Sequence, residues 1–405
     1  MSSELIIPLD IIEVIIYNLA QIDDPKRTSL WACARTCRHL LHVCRRYIFW
    51  AIELSDDDLS LPHKESPSGI QKLLESTPEI ATYTRSMHFR ISGSTHPNLE
   101  NFGDLSRILN NFTLIQVLYV KSELEAPAMA DWNVIPECLR EVIVNLMKVP
   151  TLLTVSLSGI SNFPVETLAH CINMRSLLIK FVTPANNAIS TPSNTRPITL
   201  REYGGPMKSG GAMKKLISLK GANGQPVFDF QYVDHCTAYS QDMEDVEAVQ
   251  WILQRSTRMT YFGLTVLEPS NFSHFSETLF RAPGTLTRIF FRCIASLNSQ
   301  SPLNGLPGQL DDIRQQPNVL EEVGMNFRHS YPLEPNNEWN ELDNTLNGSG
   351  WPSLKIVSIH ITIASMVGNI IEGWVPQFPG LSANENITLE IFVNDIKIPT
   401  SVARE

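Results

Sequence analysis

The run Gly204-Gly205-Pro206-Met207-Lys208-Ser209-Gly210-Gly211, followed by Lys214-Lys215, carries the residue types that cradle phosphate. Glycines let backbone N–H groups approach an anion and lysines neutralise it. Its lysines do not stand at the spacing of a phosphate-binding loop, so the stretch is read as a mobile loop between repeated units. Cys33, Cys37, His39 and His42 fall at helical spacing and are the donor types of a zinc site. Cysteines there serve helix packing as well, because free Cys behaves as a small hydrophobe. The remaining histidines are scattered, and neither HExxH nor GxSxG occurs. The chain is therefore read as no enzyme, with no catalytic, metal-binding or cofactor-binding residue and no cofactor.

Two further groups suit recognition. Trp132, Trp339, Trp351 and Trp374 stand in or beside loops, where an aromatic anchors a partner or packs into the core. Asp56-Asp57-Asp58, Glu244-Asp245, Asp311-Asp312 and Glu321-Glu322 sit at segment edges. Such carboxylates steer a basic substrate or form a solvated face.

Composition narrows the class. Hydrophobic residues make up 43% of the 405 and charged ones 18%, a balance that suits a folded chain and not a disordered one. A net charge of -10 argues against a nonspecific polyanion binder, so nucleic acid is not an expected partner. No apolar stretch is long enough to span a bilayer, and the first residues lack a basic n-region, so no membrane partner is expected. The expected compartment is the cytosol or nucleus. Seven cysteines without a CxxC pair point to reduced thiols. The sequons at Asn111, Asn271, Asn347 and Asn386 are read as accidental.

The elements that would present these residues fall into two kinds. Pro8 opens a helix whose apolar arc runs from Ile11 through Ile15, Leu19, Ile12 and Ile16 to Leu9, leaving a stripe of Asp10, Glu13 and Tyr17. Leu30, Cys33, Ala34, Cys37 and Leu41 continue at helical spacing, and Phe49-Trp50 with Ile52 and Leu54 closes the segment. A unit of roughly fifty residues buries little apolar surface by itself, so part of that arc is expected to meet something else.

From Ser68 onward one pattern recurs: Leu or Met, two residues, apolar, one residue, apolar. It appears as Leu114-Val117-Tyr119, Leu152-Val155-Leu157, Met174-Leu177-Ile179, Met259-Phe262-Leu264, Leu286-Ile289-Phe291, Leu320-Val323-Met325 and Leu354-Val357-Ile359. Weaker forms surround Met87-Phe89-Ile91 and Leu389-Ile391-Val393. Alternation predicts a short strand in each, with amphipathic helices over 70–74, 105–109, 165–170, 246–253, 342–346 and 367–374. Further units are expected near Leu200-Tyr203 and Phe228-Phe230. Strand-plus-helix units of about 25 to 38 residues stack into a solenoid with a parallel sheet.

The first segment resembles the F-box, in the form common in mushroom-forming fungi. The residues that carry the likeness are Pro8-Leu9, then Leu30-x-x-Cys33-Ala34-x-x-Cys37-Arg38-x-Leu40, then Phe49-Trp50-x-Ile52-x-Leu54. The family often has Val and Trp where this chain has Thr36 and Leu40-Leu41. The resemblance implies docking on a Skp1-type adaptor, and through it on a cullin, by Pro8, Leu9, Ile12, Ile15, Ile16, Leu30, Cys37, Arg38 and Leu40. The repeats resemble the LxxLxL core of leucine-rich repeats in degenerate form. The usual Asn is replaced by Ser122, Ile160, Val182, Leu267, Ile294, Arg328 and Thr362, so the turns are expected to find other partners.

The expected architecture is α/β: a three-helix F-box module over 5–54, a linker over 55–67, and over 68–405 an irregular leucine-rich-repeat solenoid with a curved parallel sheet. The expected function is substrate recognition in a Skp1-cullin-F-box ubiquitin ligase, with an unidentified protein substrate on the repeats. The alternative is a protein-interaction scaffold that does not bind Skp1.

Overall fold

The computed structural model describes residues 8–22, 27–55, 67–91, 109–124, 128–186, 196–205, 207–240, 242–266, 284–294, 303, 305–329, 337–363 and 378–398. Residues 5–7, most of the expected linker, the expected helix over 367–374 and all but Leu109 of that over 105–109 lie outside them. The fold is α/β with mostly parallel strand pairing, arranged as two compact units: Met1–Met174 with Pro184–Asn194, and Arg175–Thr183 with Thr195–Glu405.

The first unit begins with helices α1 (Leu9–Gln21), α2 (Thr28–Ala34) and α3 (Arg38–Ile48). Pro8 precedes α1 with φ -56°, which its ring fixes in advance, and Asp10 complements the positive end of the helix dipole. Arg27 takes a left-handed φ of 50° before α2, and its guanidinium donates to the carbonyls of Tyr47 and Ile48 at the end of α3. A cation is favoured there because the last carbonyls of a helix are unpaired and negative. Ile16, Leu30, Ala34, Val43, Cys44 and Ile48 are the buried residues of these helices.

The module runs directly into a sheet. Ala51–Ser55 is strand β1, paired in parallel with β2 (Ser86–Ile91), which pairs with β3 (Val117–Ser122). Between β1 and β2 lie α4 (Pro67–Ser76) and α5 (Ile80–Tyr83), and Arg45 of α3 reaches Glu79 at 2.8 Å. A two-residue β4 (Ala130–Asp131) and helix α6 (Glu137–Met147) precede β5 (Thr154–Phe163), which pairs with β3 and β4. Val165–His170 is a 3-10 helix where an α-helix was expected.

The second unit repeats the plan. Its ladder starts at β6 (Ser176–Pro184), while β7 (Ile198–Thr199) pairs outside it with β9 (Phe228–Asp229). Next come β8 (Glu202–Gly204), α7 (Gly210–Ser218), β10 (His235–Ser240), α8 (Met243–Arg255), β11 (Tyr261–Val266) and β12 (Arg288–Ile294). After them stand α9 (Leu306–Arg314), β13 (Glu322–His329), α10 (Asn337–Asn347), β14 (Ile356–Ile363), α11 (Pro379–Ala383) and β15 (Thr388–Val393). The order β6-β8-β10-β11-β12-β13-β14-β15 follows the chain, each pair parallel, and antiparallel β16 (Ile396–Ile398) closes the edge. Parallel neighbours need a crossover connection, which is the role of the intervening helices.

One hydrogen-bond device marks the junctions. Just before a strand, a carbonyl accepts from two successive N–H groups at the entry to the next strand. Trp50, Arg85 and Gln116 do this in the first unit. Arg175, Arg201, Asp234, Thr260, Thr287 and Glu321 do it in the second, 26 to 34 residues apart. Trp50, the closing aromatic of the helical module, is thus also the first acceptor of the ladder.

Strand burial alternates as the repeat pattern predicts: Val155, Leu177, Phe262, Ile289, Val323 and Val357 are buried, each with the apolar residue two positions on. The register differs in one unit. Leu118 and Val120 face the core of β3, following Ile115, whereas Val117 and Tyr119 lie on the opposite face and Leu114 is 36% exposed. Val and Tyr look apolar in either register, and a slip of one residue exchanges the two faces of a strand. The unit expected at Phe228-Phe230 has its ladder strand at His235–Ser240, and the Gly204–Lys215 stretch contains α7 instead of a mobile loop. Three of the turns lacking Asn use other partners. Leu124 N donates to Ser122 Oγ, Val182 N to Ser209 Oγ, and Ile363 N to Asn394 Oδ1.

Candidate docking surface

Helix α1 has two apolar faces. At about 100° per residue, Ile12, Ile16 and Leu19 share the side turned to the other helices, with Ile16 only 2% exposed. Ile11, Val14 and Ile15 turn away from it, and all three are exposed. Leu9 at the first turn, Ile22 after the last and Trp31 on α2 add to the apolar surface outside. Half of the exposed large apolar side chains among the described residues fall between Leu9 and Trp50. Such a concentration in so short a stretch makes this a better candidate interaction surface than the scattered exposed residues elsewhere.

The expected adaptor-contacting residues divide accordingly. Pro8, Leu9, Ile15, Cys37 and Arg38 are exposed, and Ile12 and Leu40 are half-buried. Ile16 and Leu30 are each 2% exposed and hold the three helices together, so their direct contribution is to the module's interior. Ile11, Val14, Ile22 and Trp31 belong to the outer surface without having been singled out for docking. Their signal was in the wheel: α1 has more apolar arc than one packing partner can cover. Neighbouring polarity is basic and acidic by turns. Arg35 and Arg38 are exposed, and Arg46 stands 3.7 Å from Glu13. Ring contacts brace the rim: Tyr17 meets Tyr47 edge-on at 6.3 Å, and Trp31 meets Phe49 edge-on at 6.1 Å.

The other constellations resolve into structure. Asp245, fully buried on α8, accepts from the N–H groups of Lys208, Ser209 and Gly210, so the glycine-rich stretch offers its donors to the chain's own carboxylate. Lys214 pairs with Glu247 at 2.9 Å and Glu244 at 3.5 Å. Asp343 on α10 likewise accepts from Gly380 N and Leu381 N at the start of α11. Asp311 pairs with Arg314, and Glu321 with Lys355 at 3.1 Å. Asp245, Glu244, Asp311 and Glu321 of the acidic groups are thus engaged within the fold. Asp56-Asp57-Asp58 lies outside the described residues, as does Trp374.

Trp132, Trp339 and Trp351 are buried and belong to the core. All seven cysteines are free. Burial, reinforced by Cys33 and Cys37, pushes the Cys44 thiol up to about 11, and burial alone pushes Cys236 and Cys293 up to about 12. Such thiols remain protonated at neutral pH and are poor nucleophiles and ligands. Among the described residues no group of three His, Cys, Asp or Glu side chains is gathered to hold a metal ion, and no helix is long and apolar enough to cross a membrane. No protein-family model and no curated protein matches the chain.

Proposed function

We propose that the chain is a substrate-recognition subunit of a Skp1-cullin-F-box ubiquitin ligase, in which the helical module is an F-box and the sequence-ordered ladders are degenerate leucine-rich repeats. The observation that carries the reading is the second apolar face of α1, with Ile11, Val14 and Ile15 left outside a module that already has an interior. A groove on an adaptor would cover that face in the manner of an amphipathic helix laid into a partner. The repeats would hold a protein substrate. Their effect would be positional: tethering raises the effective concentration of substrate lysines near the ubiquitin-charged enzyme without any bond chemistry by this chain.

The test is co-purification of a Skp1-type adaptor with the full chain. Ile11→Asp with Ile15→Asp, both exposed, should abolish recovery of the adaptor while leaving the far-UV spectrum and melting temperature unchanged. Retention of the adaptor by that variant, or its absence from the unmodified chain, would overturn the assignment. Ile16 is unsuitable as a docking probe, because its loss would loosen the module itself.

A second reading has its own observation. Strand β1, which closes the module, pairs along its whole length with β2, as an end cap on the first ladder would. In that case the chain is a protein-interaction scaffold, and adaptor recovery would fail for the unmodified protein.

A further inference from the structure

Opposite the core, the second unit's ladder presents rows of side chains, because parallel strands in register set equivalent residues about 4.8 Å apart. The row nearest the strand entries runs through His235, Tyr261, Arg288 and Glu322. His235 stacks on Tyr261 with centroids 4.1 Å apart and 5° between planes. The next row is flat and filled: Thr237, Gly263, Phe290, Gly324 and Ser358, with Gly263 buried against Tyr261 and Gly324 against Phe290. A Cβ on Gly324 would stand 2.5 Å from Phe290 Cδ2, so the glycine is what lets that ring lie along the sheet. The third row holds Tyr239, Thr265, Arg292, Asn326, His360 and Phe392.

Charge is sorted along these strands. Arg292 stands in the third row, Arg328 lies two residues beyond Asn326 on the same face, and Lys180 of β6 donates to Tyr239 Oη with its Nζ 3.8 Å from that ring's centroid. Most acids of this face lie lower, while Asp395 acts on His360 at the β14–β15 end of the third row. Glu202 and Glu322 are in the first row, and Glu390 in the second is held by Lys397 at 2.6 Å. Among the described residues no carboxylate forms an ion pair with Lys180, Arg292 or Arg328. Arg292 Nε and the in-register Asn326 Oδ1 are moreover buried polar atoms without a hydrogen-bond partner. In a chain of net charge -10, three cations on one face without a carboxylate partner among the described residues run against the average composition.

We propose that this face binds an extended acidic segment of a protein partner, its carboxylates on Arg292 and Arg328 and its backbone over the half-buried Phe290 ring that covers Gly324. Guanidinium groups suit this task because their forked donors match a carboxylate in geometry as well as charge. Glu202 and Glu322 outnumber Arg288 in the first row and make it net acidic, so the segment is oriented across the strands near their C-terminal ends. The inference deepens the substrate-recognition reading by naming the class of segment recognised, and it rests on that reading only for its biological setting. Peptide binding needs no adaptor, so the two fail separately.

The experiment is fluorescence anisotropy of the full chain with a labelled peptide of alternating Glu and Ala, against a matched Lys and Ala peptide, at low and raised salt. The acidic peptide should bind and the basic one should not, and raised salt should weaken binding because exposed charge pairs are screened. Arg328→Glu, at an exposed position that should not disturb folding, should weaken binding by roughly tenfold or more. Arg292→Gln combined with it should remove binding. Arg201→Glu, on an exposed arginine 3.8 Å from Asp234 at a strand entry, should leave the affinity unchanged. No binding by the unmodified chain, equal binding of the basic peptide, or equal weakening by Arg201→Glu and Arg328→Glu would each overturn the proposal. Loss of adaptor recovery with peptide binding intact would overturn only the ligase reading.

Discussion

On β13 of the second unit's ladder, Val323, Met325 and Phe327 are all fully buried, whereas on α1 of the helical module Leu9, Ile11, Val14 and Ile15 all remain exposed. The difference follows from what each element has beside it. A strand inside a ladder has neighbours on both edges and helices over its apolar face, so the apolar positions of its period-two pattern are covered. Helix α1, in a module of three, has partners for one stripe only among the described residues. Apolar residues in the ladder therefore report folding, while those on the outer side of α1 remain open to solvent among the described residues.

Substitutions on the two regions should break along that line. The largest effect is expected at Trp339, 0% exposed on α10 and packed edge-on to Phe327 at 5.3 Å and Phe378 at 5.9 Å. Trp339→Ala should cost about 3–5 kcal/mol by the usual sum of lost transfer energy and cavity, read as a lower denaturant midpoint. A loss below about 1 kcal/mol would mean that the site collapses around the cavity. The sharper comparison lies within α1. Ile16→Ala should cost about 2–4 kcal/mol, and Ile15→Ala, one residue away on the exposed side, no more than about 0.5 kcal/mol. Equal costs would erase the distinction between an inner and an outer face.

The smallest effect concerns pH. Burial holds His88, His170, His235 and His360 below the usual imidazole value. A depressed pKa means the folded state binds the proton less well, so the associated stability is present above about pH 6.5 and is lost as pH falls through the folded-state values. His88, His235 and His360 share a setting, each against the in-register ring of the next strand: His88 tilted on Tyr119 at 4.4 Å, His235 stacked on Tyr261 at 4.1 Å and His360 stacked on Phe392 at 4.3 Å. The denaturation midpoint should therefore fall on mild acidification, and His235→Phe should flatten that fall. Asp343, whose pKa burial raises, acts with the opposite sign: its contribution is complete below the ordinary carboxylate range and is lost as pH rises through its folded value.

The ladder was legible because its signal repeats. Seven units offered the same spacing, and a pattern stated that often survives one slipped register at Val117 and Tyr119. Helices α4, α8 and α10 were legible from their apolar period, while α6, α7 and α9 were not among the expected ones. In α7 the reason is physical. Gly210 and Gly211 are poor helix formers, and what caps the helix is Asp245, 35 residues away from Gly210 in sequence. The candidate docking surface was half legible. An excess of apolar arc on α1 can be counted on a wheel, but which residues of the arc turn inward depends on where α2 and α3 lie. Ile16 and Leu30 became interior for that reason, and Ile11 and Val14 became surface. The basic rows of the second unit needed the register of several strands at once, which no single segment of sequence carries.

The carboxylates of Asp245 and Asp343 have a consequence for how such a protein can change length. Asp245 caps the helix of the unit before its own, and Asp343 that of the unit after. Repeats joined only through stacked strands can be duplicated or excised as whole modules. Here, deleting the segment that carries either aspartate would strand a neighbour's buried N–H donors, and duplicating it would add a buried charge without a helix to receive it. Descent with change in repeat number is thereby confined to the stretches between these ties, which act as grammatical agreement between distant words of one sentence.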